Sequence, residues 1–515
     1  NLLRTRVPVS RLPKYAADRN VAFVEIGEPL TFPRPVLADA APAAPAVSDR
    51  RFGSAALHQE GEGVLIGIID VGGFDFAHPD FLDASGQTRW ERIWDQGGNA
   101  RPAPQLKSPT RQQFAYGAEF HRDHLNAAIK AAPRVGAAAT DLEPQSQMEV
   151  GSHGTHVASI AAGNRGVCRK AMIAGVLLSL PTGDQDRRVS FYDSTQLADA
   201  VDYLVELSKE LEVKLGHTVP LSINISLGTN GHAHDGSSPI VRWIDALLTK
   251  SGRCVVVAAG NAGQQRAVSR GDVGWVMGRI HTSGQVPASD LDADIEWVVV
   301  GNGIRDASEN ELNLWFSPQD RFAVSVRPPR MDWLEPVEPR GYVENRQLPD
   351  GTFVSVYNEL YHPANGANCV SIFLSPQFRK DSVVGVRAGT WMVRLHGRHV
   401  RDGRYHGWIE RDDPQPMGPA GDAPAWAFPS FFSERSFMDN TTASSLACGQ
   451  YLISVANLDV ANNRINVTSS QGPTRDGRCK PDIAAPGTNV VAAKGFAGRD
   501  DLWVAMSGTS MASPF

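Results

Sequence analysis

The sequence predicts an α/β fold: a parallel sheet flanked by helices, interrupted by a long all-β insertion and preceded by a small α+β unit. Three observations carry this. Over 52–264, apolar runs of strand length alternate with amphipathic helical stretches, the arrangement of a parallel sheet with crossover helices. Over 265–435 helical periodicity vanishes, and short alternating segments follow one another between turn residues. Over 436–515 the α/β texture returns, so the β region is expected to lie within one α/β domain.

Taken in order, residues 1–32 read as strand, helix and strand: LLRTRVPV, SRLPKYAADR and VAFVEIG. PRPVLADAAPAAPAVSD follows with four prolines and six alanines, a composition that stays extended and cannot form a core, so 33–51 reads as a linker. GVLIGIID (63–70) is a continuous apolar run closed by an acid, as in a strand buried on both faces. GSHGTHVASIAAGN starts a helix at His153 and stops it at Gly163-Asn164. STQLADAVDYLVELSKELE is an amphipathic helix, LSINISLG a strand, SPIVRWIDALLTKSG a helix closed by glycine, and CVVVAAGN another buried strand. The β region supplies IEWVVVG, ELNLWFS, FAVSVRPP, TFVSVYN, CVSIFLS, GTWMVRLHG and GWIERDD. It also holds seven of the eleven tryptophans, which suits the core of a sandwich or jelly roll. GQYLISVANLD and KPDIAAPGTNVVAA belong to the second α/β part.

Bulk properties exclude several function classes. The net charge is −6 and basic residues do not cluster, which argues against a nucleic-acid partner. No apolar run reaches the roughly 18 residues of a membrane helix, so no membrane span is expected. The five cysteines are scattered and none has metal-ligand spacing, so a zinc site is not expected and free thiols are. Free thiols lean towards a reducing compartment; the cytoplasm of a bacterium and secretion both stay open. The chain opens with Asn, so its natural start is expected further upstream.

Four residues carry a candidate chemistry. Ser510 lies in SGTSMASP, where Gly508 permits a tight strand-to-helix turn and the helix start favours a developing oxyanion. Alone, this segment reads equally as a capped helix start. His153 begins its helix where a general base can face the strand ends. His156, three residues on, reads as structural, because HGTH lacks the spacing and acid of the zinc motif. Asp70 closes its strand before Gly72 and Gly73, at the edge where parallel sheets build sites, and can orient a histidine tautomer. Asn261 ends VVVAAGN and can donate its amide to an oxyanion. A turn cap and an Asn-Ala-Gly turn are the bland readings of the last two.

Together these blocks resemble the subtilisin-like serine proteases, the subtilases. GIIDVGGFDFAHPDF, SHGTHVASIAAG, SINISLG, VVVAAGNAG, SSQGPTRDGRCKPDIAAPG and SGTSMASP stand in that family's order, over 52–264 and 436–515. The resemblance implies a subtilisin-like fold and a serine endopeptidase acting on protein or peptide substrates through an acyl-enzyme. Asp70 would orient, His153 act as base, Ser510 attack and Asn261 donate to the oxyanion. Ser226, Leu227 and Gly228 would pair with substrate backbone, and Ala258, Ala259 and Gly260 would wall the specificity pocket. No cofactor is required; many subtilases bind calcium, but no loop here has a recognisable ligand pattern.

Val71 departs from the usual Thr or Ser and removes a hydroxyl that could steady the acid, while Ser152 and Ser159 replace usual glycines. The β region resembles, in texture, the jelly-roll insertions of large bacterial subtilases, including the clostridial germination proteases. Residues 1–32 look like the end of a prodomain, an inhibitory partner of its own protease, with VAFVEIG reaching the cleft beside Ser226 to Gly228 and cleavage expected within 30–52. In this fold a long helix follows the nucleophile, so the natural chain is expected to continue beyond Phe515. An α/β-hydrolase is the first rival, but that fold places its acid and histidine after the serine, and no histidine follows Ser510. A weak or inactive subtilase-fold binding scaffold is the other alternative.

Overall fold

The computed structural model describes residues 5, 7–27, 29–30, 36–37, 43, 60–106, 114–179, 192–263, 274–379, 382–411, 429–498 and 500–515. Most of the expected linker (33–51) lies outside these residues, as does half of the first expected strand (2–9), whose described residues 5 and 7–9 form no strand.

The α/β part is built from β1 (Leu65–Asp70), β2 (Trp90–Asp95), β3 (Ala118–His121), α1 (Arg122–Val135), α2 (His153–Ala162), β4 (Met172–Leu177), α3 (Ser194–Leu215), β5 (Leu221–Ile225), α4 (Pro239–Leu248) and β6 (Arg253–Ala258). Fourteen more strands follow before the α/β part resumes, and ten of them build the two larger sheets there: β7 (His281–Gln285), β8 (Asp292–Val299), β9 (Asn310–Phe316), β10 (Arg321–Arg327), β11 (Tyr342–Gln347), β12 (Phe353–Glu359), β13 (Asn368–Ser375), β14 (Gly389–His399), β15 (Arg404–Arg411) and β16 (Phe431–Phe432). It then closes with β17 (Ile453–Asp459), β18 (Arg464–Ile465), β19 (Ile483–Pro486), β20 (Val490–Ala493), β21 (Trp503–Ser507) and α5 (Thr509–Ala512).

One sheet runs in the order β18-β17-β6-β5-β1-β4-β2-β3, with β19 also on β17. From β17 to β2 every pairing is parallel; only the edge strands β18 and β3 run antiparallel. Each residue of β1 is buried, as its unbroken apolar run requires for a central strand covered on both faces. One apolar cluster joins α3 and α4 to one face of the sheet, through Leu197, Val201, Leu204 and Ile244. A second joins α2 and α5 to the other, through Val157, Ile160 and Met511. Gly67 in β1 allows the closest approach: a side-chain carbon there would come within 2.6 Å of Leu204 Cδ1.

The described residues of 281–432 form two larger antiparallel sheets, beside two of two strands each. The first has the order β7-β15-β9-β13-β12-β11 and the second β10-β14-β8-β16. They share one apolar core that includes Trp297, Phe316, Trp391, Leu395 and Phe432. The tryptophans counted in the sequence therefore serve packing at Trp297 and Trp391, both fully buried.

The N-terminal unit differs from expectation. Leu12–Ala16 is helical, but VAFVEIG forms no strand; Val24 and Ile26 stay exposed, while Glu25 Oε1 lies 3.5 Å from His232 Nε2, in the segment that continues from Gly228. Alternating apolar residues make a strand only where a partner takes their main-chain groups. Pairing comes later, where Pro29–Leu30 run antiparallel to Tyr192–Asp193, just ahead of α3. Val36–Leu37, within the expected linker, pair with Met506–Ser507 of β21.

Candidate active site

A strand end and a helix start converge at the carboxyl edge of the sheet, because β1 closes on Asp70 and α2 opens on His153. His153 Nδ1 lies 2.6 Å from Asp70 Oδ1, and both side chains are buried. Asp70 Oδ1 also accepts from Val71 N at 2.7 Å. A carboxylate in this position fixes the tautomer with its proton on Nδ1 and leaves Nε2 as the basic atom. Asp70 Oδ2 has no hydrogen-bond partner among the described residues, which fits the missing hydroxyl at Val71. The chain leaves Asp70 through Gly72 and Gly73, at φ 81° and 98°, a turn that only glycine makes without strain.

Ser510 occupies the turn that follows β21, and its short helix α5 packs against α2. Ser510 Oγ donates to the Ser226 carbonyl at 3.3 Å, while Ser226 Oγ donates to the Ser510 carbonyl at 3.1 Å. The nucleophile candidate is thereby fastened to the end of β5. Asn261 reaches the same turn. Its Oδ1 accepts from Thr509 N at 2.9 Å and from Thr509 Oγ1 at 3.0 Å. Two donors on Oδ1 settle which end of the amide is oxygen, so Nδ2 is the end turned to donate. Thr509 Oγ1 also accepts from Gly260 N at 3.1 Å, so one threonine ties the pocket wall to the amide. Sequence reasoning passed over Thr509, although it stands beside Ser510 in the quoted block.

The expected substrate segments flank this turn. Ser226, Leu227, Ala258 and Ala259 are buried, and Gly260 takes φ 106°. Ser444 spans the space between the two segments: its N–H donates to Ala259 O at 2.8 Å, and its Oγ pairs with both N and O of Thr229 at 2.9 and 3.0 Å. A side-chain carbon on Gly228 would lie 2.7 Å from Ser444 Oγ, and one on Gly260 would lie 2.9 Å from Ser470 Oγ. Ser444 had no sequence signal and Ser470, though inside the quoted SSQGPTRDGRCKPDIAAPG block, none for this contact, because both roles depend on the return of the chain after the antiparallel sheets. The ten residues singled out from the sequence lie at or just beyond the carboxyl ends of β1, β5 and β6 and at the starts of α2 and α5.

The family model described as the subtilase family matches residues 61–314 and 423–515. The chain belongs to the subtilase family. The break in the match falls within the antiparallel sheets. This subtilase is 27% identical over 207 residues to the subtilisin-like protease SBT2.6 of Arabidopsis thaliana, across 39% of its own length; it spans only 24% of that relative. It is also similar to the CspB protease of Clostridium perfringens, with a TM-score of 0.65 and 25% identity, over 88% of this chain and 82% of that one.

The departures noted in the sequence have structural uses in this subtilase. Ser152 caps α2 by accepting from Thr155 N at 3.1 Å and donates to Gly73 O at 2.8 Å. Ser159 Oγ donates to the buried Asp80 at 2.7 Å and accepts from Ala493 N at 3.0 Å. His156 Nε2 lies 3.1 Å from both Val490 O and Val504 O, linking α2 to β20 and β21, which is the structural role read for it. Burial pushes the Asp75 carboxyl up, against the pull of the Phe496 amide. Among the described residues, no group of three His, Cys, Asp or Glu could hold a metal, and no helix is long and apolar enough to cross a membrane.

Proposed function

We propose that this subtilase is a serine endopeptidase that works through an acyl-enzyme. Ser510 Oγ attacks the scissile carbonyl and His153 Nε2 takes its proton. Asp70 holds the imidazole and stabilises the imidazolium, and Asn261 Nδ2 donates to the oxyanion. The proton then passes from His153 to the leaving amine, and water, activated by the same base, releases the acyl group. The observation that carries this reading is the 2.6 Å contact between His153 and Asp70 beside a serine turn whose neighbouring amide is oriented by Thr509. The reaction requires the Ser510 hydroxyl to leave Ser226 O for His153 Nε2; such contacts commonly tighten only with substrate bound.

Three finer assignments belong to the same reading. The β region is an inserted sandwich within one α/β domain, bounded near 265 and 435. Residues 1–32 are a prodomain remnant, and the enzyme is made as a zymogen. Leu30 supports this: fully buried, it joins the apolar cluster of Val71, Leu197 and Leu227, while Pro29–Leu30 add a short strand at Tyr192–Asp193. Addition of a short strand is also the way an inhibitory peptide would bind. No cofactor is required for the chemistry, and calcium, if bound, would act on stability.

A fluorophosphonate probe tests the core of this reading. The wild-type protein should be labelled and should cleave peptides, and Ser510→Ala should do neither. Retained cleavage in Ser510→Ala removes the assignment, and an unlabelled wild type leaves a binding scaffold of the same fold. Intact masses of the two proteins test the zymogen: identical unclipped masses would make residues 1–32 a permanent part of the structure.

A further inference from the structure

The chain just after Asp70 carries a run of main-chain polar groups that neither helix nor strand satisfies, so each needs another partner. The segment entering α2 supplies them. Gly154 N donates to Val71 O at 3.1 Å, Glu149 N donates to Gly72 O at 3.0 Å, and Ser152 Oγ donates to Gly73 O at 2.8 Å. The Gln145 amide takes both main-chain groups of Phe74, at 2.9 and 2.7 Å.

Gln147 alone in this set reaches a second strand end. Its Oε1 accepts from Gly72 N at 2.8 Å, and its Nε2 donates to Leu178 O at 2.7 Å. Leu178 N in turn donates to Asp70 O at 3.0 Å. The hydrogen bonds close a ring through Asp70, Gly72, Gln147 and Leu178, across the ends of the neighbouring strands β1 and β4. We propose that Gln147 is a positioning residue for the Asp70–His153 pair, holding the Asp70 carboxylate against His153 Nδ1 through this ring. The ring is buried, so an apolar side chain at 147 strands two main-chain groups that must then shift to find partners. Gly72 is two residues from Asp70, and its shift is passed to the carboxylate. The bland alternative is a brace that contributes stability and nothing else.

This inference rests on the serine-peptidase reading above, and its test separates the two. The full chain and its Gln147→Met variant are compared in peptide hydrolysis across pH, in fluorophosphonate labelling rate and in melting temperature. Gln147→Met should lower kcat by roughly tenfold to a hundredfold, the effect of a misplaced catalytic group, with KM nearly unchanged. A loosened carboxylate stabilises the His153 imidazolium less, so the acid limb of the rate profile should also move to lower pH. Gln147→Glu keeps an acceptor for Gly72 N and should retain more of kcat. Wild-type kcat and an unmoved acid limb in Gln147→Met, with only a lower melting temperature, overturn the positioning role while the peptidase reading stands. If Gln147→Met does not fold, Gln147→Glu serves in its place: it loses the donor to Leu178 O and so opens the ring, its kcat should still fall below wild type, and an unchanged kcat and acid limb overturn the positioning role. A wild type that neither cleaves nor labels overturns both.

Discussion

At the scale of single residues, the site is organised by side chains that touch the proposed chemistry at one remove. Thr509 is the clearest case, since both of its donors converge on Asn261 Oδ1. Asn261→Ala should lower kcat by about 10²–10³, the usual cost of one oxyanion donor. Thr509→Val keeps the main-chain donor and loses the hydroxyl, so its loss should be smaller and fall on kcat; an unchanged kcat would detach Thr509 from the amide. Ser444 sets a different property. It bridges Thr229 and Ala259, and a side-chain carbon on Gly228 would lie 2.7 Å from its Oγ. The subtilase should therefore prefer small side chains on the acyl side of the cleaved bond, and Ser444→Gly should admit larger ones. Cleavage-site profiling of both proteins with a peptide library checks this, and an aromatic preference in the wild type would reject it.

At the scale of elements, α2 decides how closely the base approaches the acid. All ten of its residues are buried, and its second residue is a glycine. A side-chain carbon at Gly154 would lie 2.9 Å from Phe74, 3.0 Å from Val71 O and 3.1 Å from Gly73 O. Two of those neighbours are main chain in the turn that follows Asp70, and they cannot yield without moving it. Gly154→Ala is therefore expected to destabilise by about 1–3 kcal/mol, the usual cost of overpacking, although alanine favours helix elsewhere. It should also lower kcat, because the helix can retreat only by drawing His153 from Asp70. Urea unfolding and kcat measured on one preparation check both effects; a stabilised variant would show that the contact is slack.

At the scale of the whole molecule, the antiparallel sheets are fastened to the segment that continues from Gly228. Glu410 on β15 accepts from Asn230 N at 2.6 Å and from Thr229 Oγ1 at 3.1 Å. Trp408 Nε1 donates to Thr441 O at 2.9 Å, and its ring stacks on His234 at 4.2 Å. Excising 270–434 would strip partners from Thr229, Asn230 and His234, so it should damage substrate binding and stability together. Glu410→Ala is the milder test, with KM expected to rise more than kcat falls.

Histidines gather at this junction. His281 Nε2 and His406 Nδ1 lie 3.1 Å apart, and both rings stack against Trp408. Burial pushes His406 down to about 4, helped by Arg475 and Arg404, and drives His281 well below its usual value, helped by His406 and His234. Burial also takes His234 to about 4, although the carbonyls of Asn230 and Ala443 at its two nitrogens pull upward. Glu410 and Asp235 are the nearby acids. These rings are neutral when folded, whereas an unfolded histidine binds a proton below about pH 6.5. Stability present above that value should therefore be lost as pH falls from about 6.5 towards 4. Melting temperature across that range should drop less steeply in His406→Phe; an equal drop would place the acid sensitivity elsewhere.

The sequence by itself determined the α/β class, the antiparallel interruption and the four candidate catalytic residues. Each depends on local pattern: an unbroken apolar run ending in Asp70, a helix opening on His153, and small residues around Asn261 and Ser510. The tertiary structure decided what faces those residues. Ser444, Gln147 and Glu410 carry no periodic or motif signal, and Thr509, though inside the SGTSMASP block, gives none of its partner, since each acts through hydrogen bonds to groups that chain topology brings near. The same holds for the N-terminal segment. VAFVEIG has the alternation of a strand, yet pairing occurs at Pro29–Leu30, where the free edge at Tyr192–Asp193 lies. Local sequence sets which residues are able to pair or to react, and only the packed chain supplies the group on the other side of the hydrogen bond.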